Sequence, residues 1–410
     1  MVEETNNNNF PREWEIVNLN NDDYFKIVMG QSPPSSTYNY DKNGLPFLQG
    51  KAEFGSKFPD PFLYCSKPIK IAKKDSILLS VRAPVGDVNI ANSKTCIGRG
   101  LLAIEINKIK LNNIFIFYYL NFIKKQISSF SSGSTFKSIT KNELKRIKIL
   151  IPDLIEQEKI AEILSTVDNL IEETDVSIIK TERFKKGLMQ KLLTKGIGHK
   201  EFKETEIGLI PREWEIVNLG DESIAEIRGN KTITINTIKQ ISFIPMECIS
   251  TTEIFVNYNL RSRKNLNSFT YCQKGDLLIA KITPSLENGK QGIVPDNIPN
   301  GFAFATTEVY PICCNKINKF FLFYLLKFSK FRNQIINTMT GTTGRKRASK
   351  EIIKNMLIPF PPIPEQEKIA EILSTVDMRL QLFKEKKQKL QRIKKGLMNN
   401  LLTGKIRVKA

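Results

Sequence analysis

Two stretches of this chain are written twice. Pro11 to Leu19 reads PREWEIVNL and returns unchanged at Pro211 to Leu219, while Glu156 to Asp168 reads EQEKIAEILSTVD and returns at Glu365 to Asp377. A third echo sets KKGLMQKLLTKGI from Lys185 against KKGLMNNLLTGKI from Lys394. Such a chain folds as two versions of one unit rather than around a single core. The offset grows from 211 − 11 = 200 at the first echo to 365 − 156 = 209 at the second, so the extra residues of the second half lie in its interior. A preserved frame around diverged interiors is what two recognition modules on one scaffold require.

At 410 residues, each half is large enough to bury its own core. The net charge of +20 favours a polyanionic partner, nucleic acid first, although the abundance of Lys, Asn and Ile also fits a coding bias. Six cysteines without a CxxC pair argue against zinc and dithiol chemistry. The polar opening MVEETNNNNF lacks a signal-peptide pattern, and no apolar run reaches the length of a membrane span. The expectation is a cytoplasmic protein with reduced thiols and no membrane partner.

From Pro11 to Pro152 the text consists of short β-like runs (LPFLQG, IKIAKKDSILLSV, GLLAIEI) broken by Gly and Pro. The helical patch IFIFYYLNFIKKQI follows, then the loop SSGSTFKSIT. The second half answers in the same order with KGDLLIAKITPS, FFLFYLLKFSKFRNQI and TGTTGRKRAS. Each half then enters a long amphipathic pattern. Ile160, Leu164, Val167, Ile171, Thr174, Ile178, Thr181, Lys185, Leu188 and Leu192 alternate four and three apart, and the positions from Ile369 to Leu401 repeat that seam at the 209-residue offset. A sustained heptad predicts helices of about 40 residues, about 60 Å long, supercoiled on a matching helix rather than on their own domains. The return path through a whole module predicts an antiparallel pair with approximate two-fold symmetry. The expected fold is α+β and internally duplicated, with two mixed α/β recognition domains, at 1–152 and, with the linker, at 198–361, separated by two long helices, at 153–197 and, with the C-terminal tail, at 362–410.

The chemistry inventory is short. The one histidine, His199, lies in the linker GIGHKE and reads as solvated, and it cannot supply a triad or zinc site in both halves. Pro152–Asp153 with Glu158–Lys159 lacks nuclease spacing, and carboxylates at a helix head suit the helix dipole. GTTGRKR at Gly341 is not a phosphate loop, and no Asn/Asp-Pro-Pro-aromatic tetrapeptide of an amino-methyltransferase is present. These absences point to a recognition subunit whose chemistry resides in its partners.

Two diverged modules, each followed by a helix headed EQEKIAEILSTVD and ending KKGLM…LLT, resemble the DNA-specificity subunit of type I restriction-modification systems. PREWEIVNL, GQSPPS at Gly30, PFLQGKAEF at Pro46, SFIPMECI at Ser242, KGDLLIAKITPS at Lys274 and GSTFKSIT at Gly133 extend the resemblance over the whole chain. It implies a non-catalytic subunit that reads a bipartite, asymmetric site in double-stranded DNA, one domain per half-site, with the helices as a ruler. It also implies two methyltransferase subunits, and restriction subunits where a nuclease exists. S-adenosylmethionine, ATP and Mg would sit on those partners, with no cofactor or metal on this chain. The rival reading is an orphan two-module nucleic-acid adaptor without methyltransferase partners.

Basic and amide residues in Gly/Pro-rich loops are the candidates for DNA contact, because cations neutralise phosphate or pair with guanine while amides pair with adenine. In the first module these are Gln31, Lys51, Lys57, Arg82, Arg99 and Lys137; in the second, Arg228, Lys231, Lys281, Lys290, Gln291, Arg345, Lys346 and Arg347. The adjacent cations Arg345, Lys346 and Arg347 stand out. Trp14 and Trp214 invite base stacking, but their place in identical scaffold text argues for core packing. Lys387 and Lys394, on the seam, read as register devices or as docking points.

Overall fold

The computed structural model describes residues 10–130, 138–228, 238–262, 269–342 and 344–408. Its helices are α1 (Asn113–Phe122), α2 (Lys124–Ser129), α3 (Lys141–Leu144), α4 (Leu154–Lys195), α5 (Lys319–Lys327), α6 (Ser329–Asn337), α7 (Lys350–Lys354) and α8 (Ile363–Leu401). Two compact units emerge, and they do not follow the linear order of the chain: Met1–Val176 joins Glu385–Ala410, and Ser177–Lys384 forms the other. Each unit therefore owns one β-rich domain and a part of both long helices. Among the described residues no helix is long and apolar enough to cross a membrane.

The first unit holds a four-stranded antiparallel sheet in the order Phe25–Met29, Leu101–Ile106, Ile77–Ser80, Val88–Ile90. The second repeats it as Ala225–Ile227, Val309–Cys314, Leu277–Ala280, Gln291–Ile293. Successive strand residues face opposite sides, so the mostly apolar run ILLSV serves two cores. Ile77, Leu79 and Val81 enter the main core with α1, while Leu78 packs with Leu48, Ile97 and Leu101. Leu277 and Ile279 are likewise divided from Leu278. A second sheet covers that other face, with Leu45–Leu48 and Thr95–Ile97 paired in the first unit and Gln240–Ile244 and Phe302–Ala305 in the second. α1 and α5 bury six consecutive residues each, Phe115–Leu120 and Phe321–Leu326, which explains text that is apolar all round.

The duplicated motifs meet each other in space. PREWEIVNL supplies the strand Glu15–Asn18, which pairs with Lys148–Ile151 just before α4, and Glu215–Asn218 pairs with Leu357–Phe360 before α8 in the same register. Trp14, 4% exposed, donates its indole N–H to Glu156 (3.1 Å), and Trp214 donates to Glu365 (2.9 Å), so both tryptophans are core residues. The neighbouring glutamines are fully buried. Gln157 and Gln366 accept the backbone N–H of Asn112 and Asn318, the residues whose side chains cap α1 and α5. The closing aspartates accept phenol hydrogens, Tyr118 to Asp168 (2.7 Å) and Tyr324 to Asp377 (2.8 Å). Three polar letters of the motif, Glu, Gln and the closing Asp, thus fix α4 and α8 each to its domain in the same way.

Within each unit the long helices pack antiparallel. As the number rises from Asp168 to Asp175 on α4, the partner falls from Lys394 to Lys387 on α8, at 2.6 and 2.5 Å. In the second unit Lys185 meets Asp377 and Lys384 meets Glu182. Lys185–Asp377 and Lys394–Asp168 are one pair seen twice at the 209-residue offset, with α4 and α8 exchanging roles. The seam positions Ile160 and Leu164 are fully buried in the core of the first domain, and Ile369 and Leu373 in that of the second, which corrects the expectation that the helices pack on each other rather than on their own domains: the head of each packs on both. Lys387 and Lys394 are thus engaged in helix register.

His199 overturns the expectation of a solvated linker residue. Its side chain is 11% exposed, with Nε2 2.9 Å from Glu365 and Nδ1 3.5 Å from Glu213. In the first unit Arg407 holds the equivalent place, bonded to Glu156 and Glu13. Linker and C-terminal tail follow equivalent helices, so the fold buries both against the same Trp–Glu clamp.

Candidate nucleic-acid interface

One corner of each domain gathers loops from far apart in the chain. The turn after Ile77–Ser80 contains a cis Ala83–Pro84 bond, and the turn after Leu277–Ala280 contains a cis Thr283–Pro284 bond. Arg82 bridges to Ser138 beside Ile139, whose N–H donates to Val81 (2.9 Å), and Ile282 bridges to Arg347 beside Ala348, whose N–H donates to Lys281 (2.8 Å). On the other side Val81 N–H donates to Gly100 and Lys281 N–H to Glu308. Gly100 and Glu308 thus occupy the same place in the two units.

In the first unit this corner is a cleft of about 240 Å³ lined by Gln49, Gly50, Lys51, Arg82, Ala83, Arg99 and Gly100. Three predicted cations, Lys51, Arg82 and Arg99, converge on it from three loops and are exposed. Gly100 makes the closure possible. A Cβ there would stand 2.5 Å from the carbonyl oxygen of Gln49, so a side chain would push the Gln49–Lys51 loop away. Arg99 is anchored through its backbone N–H to Ser32 (3.2 Å), and the exposed Gln31 donates its backbone N–H to Ile97 (3.0 Å), beside the same wall. Lys51 pairs with Asp87 at 3.0 Å. Burial works against the Asp87 charge, but Lys124 and Lys51 outweigh it and hold the carboxyl below its ordinary range.

The second unit builds the corner from a hairpin. Thr340 and Arg347 exchange backbone hydrogen bonds (3.0 and 2.8 Å), and Gly341 turns the chain at φ 130°, where a Cβ would meet the carbonyl oxygen of Arg345 at 2.7 Å. Arg345, Lys346 and Arg347 are all exposed. Both oxygens of Glu308 accept from Nη2 of Arg347, at 2.8 and 3.0 Å. Lys281 lies over the Tyr310 ring at 4.4 Å, and burial lowers its pKa against the pull of Glu308.

Other predicted contacts are placed elsewhere. Lys57 reaches Ser165 on α4 (3.4 Å), where burial lowers its pKa. Arg228 is bound by Asp276 (2.9 Å) and Glu226 (3.2 Å), closing over a carboxylate that is 3% exposed. Lys290 donates to the carbonyl of Met246 (2.7 Å). Gln291, 1% exposed, donates to the carbonyl of Phe323 and offers DNA no surface. Lys137 and Lys231 lie outside the described residues. Glu308 and Gly100 are neither cation nor amide and so stood outside the predicted contacts, although aligning TTEV with GRGL places them opposite each other.

The fold is thus a tandem duplication in which each domain carries a cationic corner and a share of two long helices. A family model described as the type I restriction modification DNA specificity domain matches residues 11–181 and again 211–392, and the chain belongs to that family. The putative type I restriction enzyme MjaX specificity subunit of Methanocaldococcus jannaschii is 54% identical over 184 residues, 45% of this chain and 43% of that protein. The type I restriction enzyme MjaVIII specificity subunit of the same organism is 28% identical over 409 residues, covering 97% and 94% of the two chains. Among solved structures, the S subunit of a type I restriction-modification system from M. genitalium has a TM-score of 0.60 at 18% identity, covering 96% of this chain and 97% of that one. A chain from a study of complex assembly and conformational transition in a type I system has a TM-score of 0.57 at 15% identity, covering 97% and 99%. At these identities the likeness is one of fold.

Proposed function

We propose that this specificity subunit reads a bipartite, asymmetric sequence in double-stranded DNA, each unit taking one half-site through its cationic corner. The observation that carries this reading is one structural place furnished twice with different side chains: Gln49, Lys51, Arg82, Arg99 and Gly100 in the first unit, Lys281, Glu308, Arg345, Lys346 and Arg347 in the second. A shared backbone frame with unlike donors presents unlike patterns to base edges. The chain supplies recognition, and two methyltransferase subunits dock on it in the cytoplasm. Methyl transfer from S-adenosylmethionine belongs to those subunits, and ATP- and Mg-dependent cleavage to restriction subunits where the system has them.

Exchanging the segment between Leu19 and Pro152 for that of another specificity subunit should replace one half-site and leave the other intact. Mapping methylated bases in cells carrying the hybrid tests this. A change in both half-sites would contradict one-unit-per-half-site reading.

A further inference from the structure

We infer that Arg347 is a specificity-determining residue that reads guanine, and that Glu308 is its positioning residue. The inference rests on the DNA-reading role proposed for the second unit. Arg345 and Lys346 are exposed cations on the same hairpin, yet Arg347 differs from both because Glu308 grips one nitrogen, Nη2, with both carboxylate oxygens at 2.8 and 3.0 Å. The side chain of Arg347 is 60% exposed and that of Glu308 is 26% exposed, so the pair lies at the surface of the corner.

The charge of the pair decides what it suits. A lone arginine gains most from phosphate, but a guanidinium joined to a carboxylate is nearly neutral and brings a second negative group close to the backbone. Against the major-groove edge of guanine, which offers N7 and O6 as acceptors, the guanidinium loses nothing by that partner. Holding Nη2 restricts the rotamers of the guanidinium before binding, which lowers the entropy cost of a two-bond contact made by its remaining N–H groups. Position matters as well. Glu308 stands where the first unit has Gly100, so the second unit places a carboxylate where the first leaves room for the Gln49–Lys51 loop. Arg345 and Lys346, which have no such partner among the described residues, remain suited to phosphate.

The test uses the full chain, alone and with the methyltransferase subunit of its system, in selection from randomised duplex DNA followed by binding over a salt series. R347A and R347K should both lose a guanine preference of about 10- to 100-fold at one position of the second half-site, because lysine keeps the charge but not the fork. R347K should keep the salt slope of the unaltered chain. E308Q should weaken the same preference at that position only, whereas R345A should weaken binding to all sequences alike and lower the slope by about 0.9. Thermal unfolding of each variant separates loss of recognition from loss of fold. Full guanine preference in a folded R347K would overturn the inference and make Arg347 a phosphate contact. No sequence enrichment by the unaltered chain would instead remove the DNA-reading role beneath it.

Discussion

The first-unit cleft makes a quantitative claim about salt. Arg82 and Arg99 enter it from different loops, and both side chains are exposed. Replacing both with alanine removes two cations without disturbing a core contact, so stability should change by no more than about 0.5 kcal/mol. Each phosphate contact displaces about 0.9 of a counterion, worth about 0.7 log units of affinity near 0.15 M salt. The double variant should therefore bind duplex DNA about 30-fold more weakly, with the slope of log K against log salt shallower by up to about 1.8. Fluorescence anisotropy with a labelled duplex at four or more salt concentrations reads both quantities. A folded variant with unchanged affinity and unchanged slope would show that the cleft does not face the DNA backbone, and the pairing of corners with half-sites would fail in the first unit.

Three further expectations concern the scaffold. Glu156, 3% exposed, accepts from Trp14, Arg407 and the N–H of Val408, so Glu156→Ala should cost about 3 kcal/mol and lower the thermal midpoint by about 6–12 °C; a fall under 2 °C would make the clamp dispensable. Arg228→Ala should also cost about 3 kcal/mol, because it strands the buried Asp276, while leaving the salt dependence of DNA binding as it was; a shallower slope would return Arg228 to the DNA contacts. Burial, helped by Lys185 and Arg332, lowers Lys327 from 10.5 to about 7. Below about pH 7 folded and unfolded chains are both protonated and the folded state bears the full cost; from 7 towards 10.5 that cost fades and stability rises. Lys327→Met should flatten this rise in denaturant unfolding at pH 6.5 and 9.5, and an unchanged rise would assign it to other groups.

The tandem frame, the two long helices and their seam were legible from the letters alone. A heptad is a property of local backbone geometry, so Ile160, Leu164, Ile369 and Leu373 announce their buried face wherever the helix finally lies. The burial of Trp14 and Trp214 was also readable, since both stand in unchanged text while the interiors drifted. Tertiary structure alone decided which cations stay available to DNA. Arg228 and Arg345 look alike in sequence, but the chain brings Asp276, 48 residues away, against the first and leaves the second exposed. His199 could not be placed from its linker because Glu365 lies 166 residues further on. Glu308 became visible as a partner of Arg347 only when the hairpin met the strand across 39 residues. A side chain's burial and countercharge come from the packed neighbours of a long-range contact, and no local period encodes them.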